Sequence, residues 1–258
     1  MGQKVVEDAL HKDGFICPLA EMFMGDTCEL LNKKYNISRQ EQDEFALDSQ
    51  QKAKKAVNSG VFKEEIVPIE VKSRKGVTVF DTDEVHRETS LEKLAKLPHV
   101  FTEGDTVTAG NSCALSDAAS AVVITTEEKA KELELQPLAR LKSYSFVGLE
   151  PKHMGLGPAV ATPDALKKAG MELKDIDLIE LNEAFAGQVI ACDRELKMDR
   201  SKLNIYGGAI AMGHPVAATG TKILTTLLYA MKNLDKETGL ATLCIGGGQG
   251  VAVIVERI

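Results

Sequence analysis

The chain has no tryptophan and only 5% aromatic residues over its 258 positions, which removes the stacking platforms that single-stranded nucleic acids need. Positive charge is also short. With 31 basic against 38 acidic residues the net charge is −7, which excludes general binding to a polyanion and asks for a local basic patch wherever a phosphorylated ligand is held. No run reaches the about 18 apolar residues that span a bilayer. The opening "MGQKVVEDALHKDG" lacks the charged-then-apolar profile of a signal peptide, and Val6 stands where a myristoylation signal needs a small hydroxyl residue. The expected location is therefore the cytoplasm or an organelle matrix. The five cysteines, at 17, 28, 113, 192 and 244, form no CxxC pair, which argues against both a disulfide framework and a structural zinc site, so no metal is expected. What the chain does have is 44% apolar residues, enough for a buried core.

Residues 1 to about 110 read as polar and helical, broken by turns. Ser38 and Glu41 form an S-x-x-E capping box for a helix that stops at Gly60, and "EEIVPIEVK" and "GVTVF" read as strands. The composition then turns small: "ALSDAASAVVIT" predicts a tightly packed helix leading into a buried strand, followed by a helix capped by Thr125 and Glu128. From about 138 strands and helices alternate. "PLARLKSYSFVG" and "IDLIEL" read as strands, Thr162 caps a helix with Pro163 in its first position, and "NEAFAGQVIACDREL" follows as a helix. "LNIYGG" predicts another strand, "TGTKILTTLLYAMKN" a helix, and "LATLCIGGGQGVAVIVERI" two strands around a glycine turn. This alternation places the protein in the α/β class, with a sheet covered on both faces.

"CIGGGQG" is not a phosphate loop, because its spacing fits no such motif and a strand follows it rather than a helix. Three strand ends do carry chemistry: Asn182 after "IDLIEL", His214 after "LNIYGG", and Cys244 in "LATLCI". Taken singly these are a helix cap, a satisfied loop histidine and a buried thiol. If the strands are neighbours, a carboxamide, an imidazole and a thiol converge where open α/β sheets gather their ligands. Such a set suits proton transfer at a carbon beside a carbonyl.

"NEAFA", "GGAIAMGHPVAATG" and "CIGGGQG", in that order, resemble the C-terminal signatures of the thiolase family. "VTAGNSCALSDAASAVV" is similar to its "TAGN" stretch, and "MGDTCELLNKKYNISRQEQDEFALDSQQKA" to its loop domain. The resemblance implies a layered αβαβα fold of two α/β halves with a helical loop domain inserted in the first. It implies cleavage of 3-ketoacyl-CoA by free CoA, or the reverse Claisen condensation, through an acyl-cysteine. Coenzyme A is then a substrate, with no further cofactor. On this resemblance His214 activates the thiol and helps hold an oxyanion, Cys244 is the acid/base, and Asn182 orients a water in one oxyanion hole. The Gly246 N–H serves the other hole. Met154 lines the acyl pocket, Cys113 stands where many members have a serine on the pantetheine arm, and Arg87 is a candidate for the adenine or phosphate end of CoA. Phe23 stands where some short-chain members have histidine, and Ala217 replaces a common glycine.

One departure is large. The family's nucleophilic cysteine precedes the loop domain, and neither Cys17 nor Cys28 sits in its context. The expectation is a chain made of the loop domain (1–110), the end of the N-terminal α/β half (111–137) and the C-terminal α/β domain (138–258), incomplete at its N-terminus and inactive alone. It would act as a homo-oligomer or beside a partner chain carrying the N-terminal half. The alternatives are a non-catalytic acyl-CoA binding or lipid-carrier protein, and a structural partner of a complete thiolase.

Overall fold

The computed structural model describes residues 5–101 and 104–258; the opening Met1-Gly2 lies outside them. A short strand pair, β1 (Ile16–Cys17) and β2 (Met22–Phe23), leads into helices α1 (Met24–Tyr35) and α2 (Arg39–Ser59). Ser38 caps α2, its hydroxyl accepting the Glu41 N–H at 3.1 Å, and Gly60 closes it at φ +76°, a left-handed value that glycine adopts without strain. The hairpin β3 (Ile69–Ser73)/β4 (Gly76–Phe80) and the short helices α3 (Leu91–Ala95) and α4 (Glu127–Glu132) complete the first half.

The second half is built on one sheet. Strands β5 (Ala139–Gly148), β6 (Leu178–Leu181), β7 (Thr238–Ile245) and β8 (Gln249–Arg257) lie in the order β5-β8-β7-β6. β6 and β7 are parallel and the other neighbours antiparallel. Helices α5 (Gly157–Ala169) and α6 (Ala186–Leu196) cover one face. There Leu31 of α1, Ala161, Ala165, Val189 and Ile190 bury against Ile179, Leu240 and Ile254. On the other face α8 (Thr219–Asn233) sets Ile223, Leu227 and Met231 on Leu178, Ala241 and Val255. The four residues of β6 are all buried, as a strand roofed on both sides requires.

Four local expectations are corrected. "LNIYGG" forms no strand, only a bridge from Leu203 to Ile179. Asn204 takes over its pairing: its N–H donates to the Ile179 carbonyl at 2.8 Å, its Oδ1 accepts the Leu181 N–H and its Nδ2 donates to the Leu181 carbonyl, both at 2.9 Å. A side-chain amide thus copies a strand edge and lets the chain turn at φ +43° toward the short helix α7 (Ala209–Met212). "ALSDAASAVVIT" is neither helix nor strand; Ala114 is drawn to the His214 loop, and Val123 and Ile124 stay exposed with no described strand beside them. The cap of α4 is Thr126, whose hydroxyl accepts the Lys129 N–H. Finally, Thr162 and Pro163 lie inside α5, because Pro158 in its first turn is an earlier and equally suitable start.

Candidate functional site

Parallel pairing of Leu181 with Thr242 puts the ends of β6 and β7 side by side, with Asn182 leaving one and Cys244 closing the other. Asn182 is not a helix cap. It continues the strand, its N–H donating to the Thr242 carbonyl at 3.0 Å, and α6 starts only at Ala186. His214 arrives from the loop after α7, its backbone N–H held by the Ala114 carbonyl at 3.0 Å. Beside it the Cys113 N–H donates to the Ala184 carbonyl, also at 3.0 Å. Cys244 is buried in an apolar cluster with Met154, Cys28, Ala184 and Phe185. Helix α5 begins against it: a Cβ on Gly157 would lie 2.5 Å from the Gln249 carbonyl oxygen and 3.2 Å from the Cys244 Cα, so only glycine permits this approach.

The imidazole has a defined tautomer. The Thr219 hydroxyl donates to the Pro215 carbonyl at 3.1 Å, so toward His214 Nδ1, 2.6 Å away, it can only accept. Nδ1 therefore carries the proton and Nε2 a lone pair. The Asn182 Nδ2 amide stands 3.4 Å from that Nε2, and the Asn182 Oδ1, buried, has no partner among the described residues. Thr219 was not singled out in the sequence; its only signal is its position five residues after the histidine at a helix start. Thr219→Val should lower the preference for the Nδ1–H tautomer about fivefold, the loss of one hydrogen bond of about 1 kcal/mol. Long-range proton–nitrogen correlations of the His214 ring measure the ratio, and an unchanged ratio would overturn the assignment.

Burial, reinforced by the Lys222 charge, holds the His214 pKa down to about 4, so the ring is neutral at physiological pH. Lys222 also reaches back to the Gly213 carbonyl at 3.4 Å. It shares a cavity behind Asn182 with Glu65, Asp83 and Glu180. Burial raises all three carboxyls, Glu65 to about 7, and Lys222 opposes the rise in each. Burial likewise pushes the Cys244 thiol up to about 11 and Cys113 to about 12, with Cys28 and Cys192 raised further. Burial thus opposes, at Cys244, the thiol activation that the resemblance assigns to His214. A neutral imidazole contributes no cationic charge to favour a thiolate, and desolvation dominates.

Gly246 brings its backbone against Met24, where a Cβ would lie 2.5 Å from the Met24 Cε. Phe23 is half-buried and starts a chain of rings through Phe101, 6.2 Å away, to Phe185, a further 6.1 Å, in the Cys244 cluster. Arg87 is not brought to the trio by any described hydrogen bond; its N–H is tied to the Gln50 Oε1 of α2 at 2.8 Å. Among the described residues no group of side chains could hold a metal ion, and no helix is long and apolar enough to cross a membrane.

Two family models match: the thiolase N-terminal domain at residues 1–128 and the thiolase C-terminal domain at residues 135–257. Acetyl-CoA acetyltransferases of Thiocystis violacea and Escherichia coli are each 49% identical to the chain, over all of its length and 66% of theirs. Among solved structures, the Bacillus anthracis acetyl-CoA acetyltransferase superposes with a TM-score of 0.96 at 43% identity, covering 100% of this chain and 66% of that one. Human mitochondrial 3-ketoacyl-CoA thiolase in complex with CoA gives 0.90 at 40%, covering 100% and 65%. The chain thus spans just under two thirds of the length of these relatives.

These matches correct two expectations. The thiolase N-terminal domain model matches residues 1–128, which overturns the expectation of a chain, and of an αβαβα fold, that lacks the N-terminal domain. The elements between Leu10 and Ala95 belong to that matched domain. A partner chain supplying the N-terminal half is accordingly not required. No cysteine stands between Cys28 and Cys113, and none of the five has the sequence context of the family's acyl-accepting thiol.

Proposed function

We propose that this chain, which belongs to the thiolase family, forms a site for acyl-CoA and CoA that performs the proton-transfer half of thiolase chemistry without the acyl-transfer half. The observation that carries this reading is the approach of Asn182 Nδ2 to the bare Nε2 of His214, 3.4 Å apart, at the strand edge where Cys244 closes β7. In this reading the thioester carbonyl of an acyl-CoA accepts the second N–H of the Asn182 amide, whose first is turned toward the His214 Nε2 lone pair. The Cys244 sulfur exchanges a proton with the carbon beside the carbonyl, and the developing enolate is stabilised by preorganised donors rather than by a formal charge. Gly246 offers a backbone N–H to the second oxyanion, Met154 and Phe23 border the acyl group, Cys113 the pantetheine arm, and Arg87 the nucleotide end. The division into 1–110, 111–137 and 138–258 is part of the same proposal, as is a cytoplasmic or matrix location, where acyl-CoA is in solution.

The test is exchange of the C2 protons of acetyl-CoA in deuterated water, followed by proton NMR. Exchange should exceed that in buffer and disappear in Cys244→Ala. Because the thiolate is the base and the thiol pKa is about 11, the rate should rise about tenfold per pH unit across the neutral range. Exchange at the buffer rate, or an unchanged rate in Cys244→Ala, would overturn the proposal.

A further inference from the structure

Cys244 and Asn182 occupy the C-terminal ends of β7 and β6; the opposite ends of the same two strands open onto a second concavity. Asp177 precedes β6 and Lys236 precedes β7, and with the end of α2 they enclose a cleft of about 550 Å³. The six residues of β7 before Cys244 separate it from that thiol by roughly 20 Å. Four lysines line it: Lys52 and Lys55 from α2, Lys202, and Lys236. In a chain of net charge −7 this is a local reversal of sign.

Two of these ammonium groups are fixed in place. Lys202 Nζ donates to the carbonyls of Ile176 at 2.7 Å and Lys174 at 3.2 Å. Lys52 Nζ donates to the Leu203 carbonyl at 3.2 Å and pairs with Asp48 at 2.7 Å. An ammonium has three donors, so each retains one. Lys55 and Lys236 are exposed, and neither forms an ion pair among the described residues. The one carboxylate on the wall, Asp177, is already engaged: it accepts the Glu237 and Thr238 N–H groups at 3.0 Å each and the Thr238 hydroxyl at 3.2 Å. The floor is apolar, with Leu178, Ile205, Leu234 and the half-buried ring of Tyr206.

We propose that this cleft is a second binding site, separate from the Cys244 edge, for a phosphorylated small molecule with an apolar or aromatic body. A carboxylate needs one cation; four converging ammonium groups with uncommitted donors suit a phosphate or diphosphate. The volume lies in the range of about 300–1,000 Å³ typical of organic ligands, larger than inorganic phosphate would fill, and the apolar floor supplies the surface for the rest of the molecule.

Calorimetric titration of the whole chain with ADP, pyrophosphate and adenosine tests this. ADP is expected to bind more tightly than pyrophosphate, and adenosine not measurably. The Lys55→Gln/Lys236→Gln double variant should weaken ADP at least about tenfold, while Lys72→Gln/Lys75→Gln, the same charge change on the exposed β3–β4 hairpin, leaves it unchanged. Because all four positions are exposed, both variants keep the fold. No binding of ADP, equal weakening by the two double variants, or an ADP affinity indifferent to Lys55 and Lys236, as expected of a nucleotide held at the Cys244 edge, would each overturn the site.

Discussion

Mixed with acetoacetyl-CoA and free CoA, the chain should show no thiolysis above the uncatalysed background, a deficit of the order of 10⁶-fold against an enzyme with its nucleophile in place. Thiolysis by this family's route is a double displacement: a thiolate attacks the ketone carbon, the C–C bond breaks to release acetyl-CoA, and the acyl-thioester is then cleaved by CoA. The first step needs an accessible thiolate with the family's nucleophile context. None of the five cysteines has that context, and burial keeps Cys28, Cys113, Cys192 and Cys244 protonated at neutral pH. In the proposed reading Cys244, the thiol beside the Asn182–His214 edge, is the base of the other half of the reaction and cannot carry acyl while acting as base. Consumption of acetoacetyl-CoA above background that is lost in Cys244→Ala would show that one thiol does both.

The second large effect concerns stability and pH. Glu180 and Glu183 stand three residues apart, both buried, yet they should respond oppositely to substitution. Glu183 is satisfied: its carboxylate accepts the Ser49 hydroxyl at 2.7 Å, the Asn204 amide at 2.8 Å and the Ile210 N–H at 3.2 Å, joining α2, β6 and α7. Glu183→Ala leaves those three donors buried and unpaired and should destabilise by about 3 kcal/mol. Glu180 has no such partners among the described residues, and burial, with the Glu183 charge second, raises its pKa well above the ordinary 4.5.

The sign follows from linkage. For an acid whose folded pKa is raised, the stability contribution is fully present below the unfolded pKa, here near 4.5, and is lost as pH rises toward the folded value, because the unfolded chain releases the proton first. The loss amounts to at most about 1.4 kcal/mol per pH unit in that window. Glu180→Gln removes it. The variant should match the parent near pH 4.5 and exceed it by a margin that grows as pH rises toward 8 in urea unfolding. His214 acts the other way, its lowered pKa withdrawing stability as pH falls from 6.5 to about 4, but it is present in both proteins and cancels. A Glu180→Gln chain less stable than the parent at pH 8 would mean that the carboxylate is paired and ionised in the fold.

The local signals in the sequence were of two kinds. Capping and periodicity located Ser38 and Gly60 around α2, the β3–β4 and β7–β8 hairpins, and α8 from its first residue to its last, because these depend on hydrogen bonds and side-chain faces within a few residues. The three site residues were legible because glycines and a polar residue interrupt otherwise apolar runs at Asn182, His214 and Cys244, although no strand precedes His214. Where a signal needed a distant partner it failed. "AVVIT" has the composition of a strand but nothing described beside it, and "LNIYGG" gave way to Asn204, whose side chain satisfied the edge of β6 better than a continued strand would.

The sequence by itself determined which residue types are available: one imidazole in a glycine-rich loop, one carboxamide and one thiol at strand ends, no cysteine between Cys28 and Cys113, and too little positive charge for a polyanion. Tertiary structure alone decided their chemical states. The Nδ1–H tautomer depends on Thr219 and Pro215 meeting the ring, the protonated thiol on the apolar cluster that encloses Cys244, and the raised carboxyl of Glu180 on helices covering both faces of β6. The basic cleft likewise exists only because α2, far from β6 and β7 in sequence, lines the same concavity as the residues that precede those strands. A residue's identity is written in the chain, but its proton affinity and the direction of its hydrogen bonds are set by desolvation and by neighbours that only folding supplies.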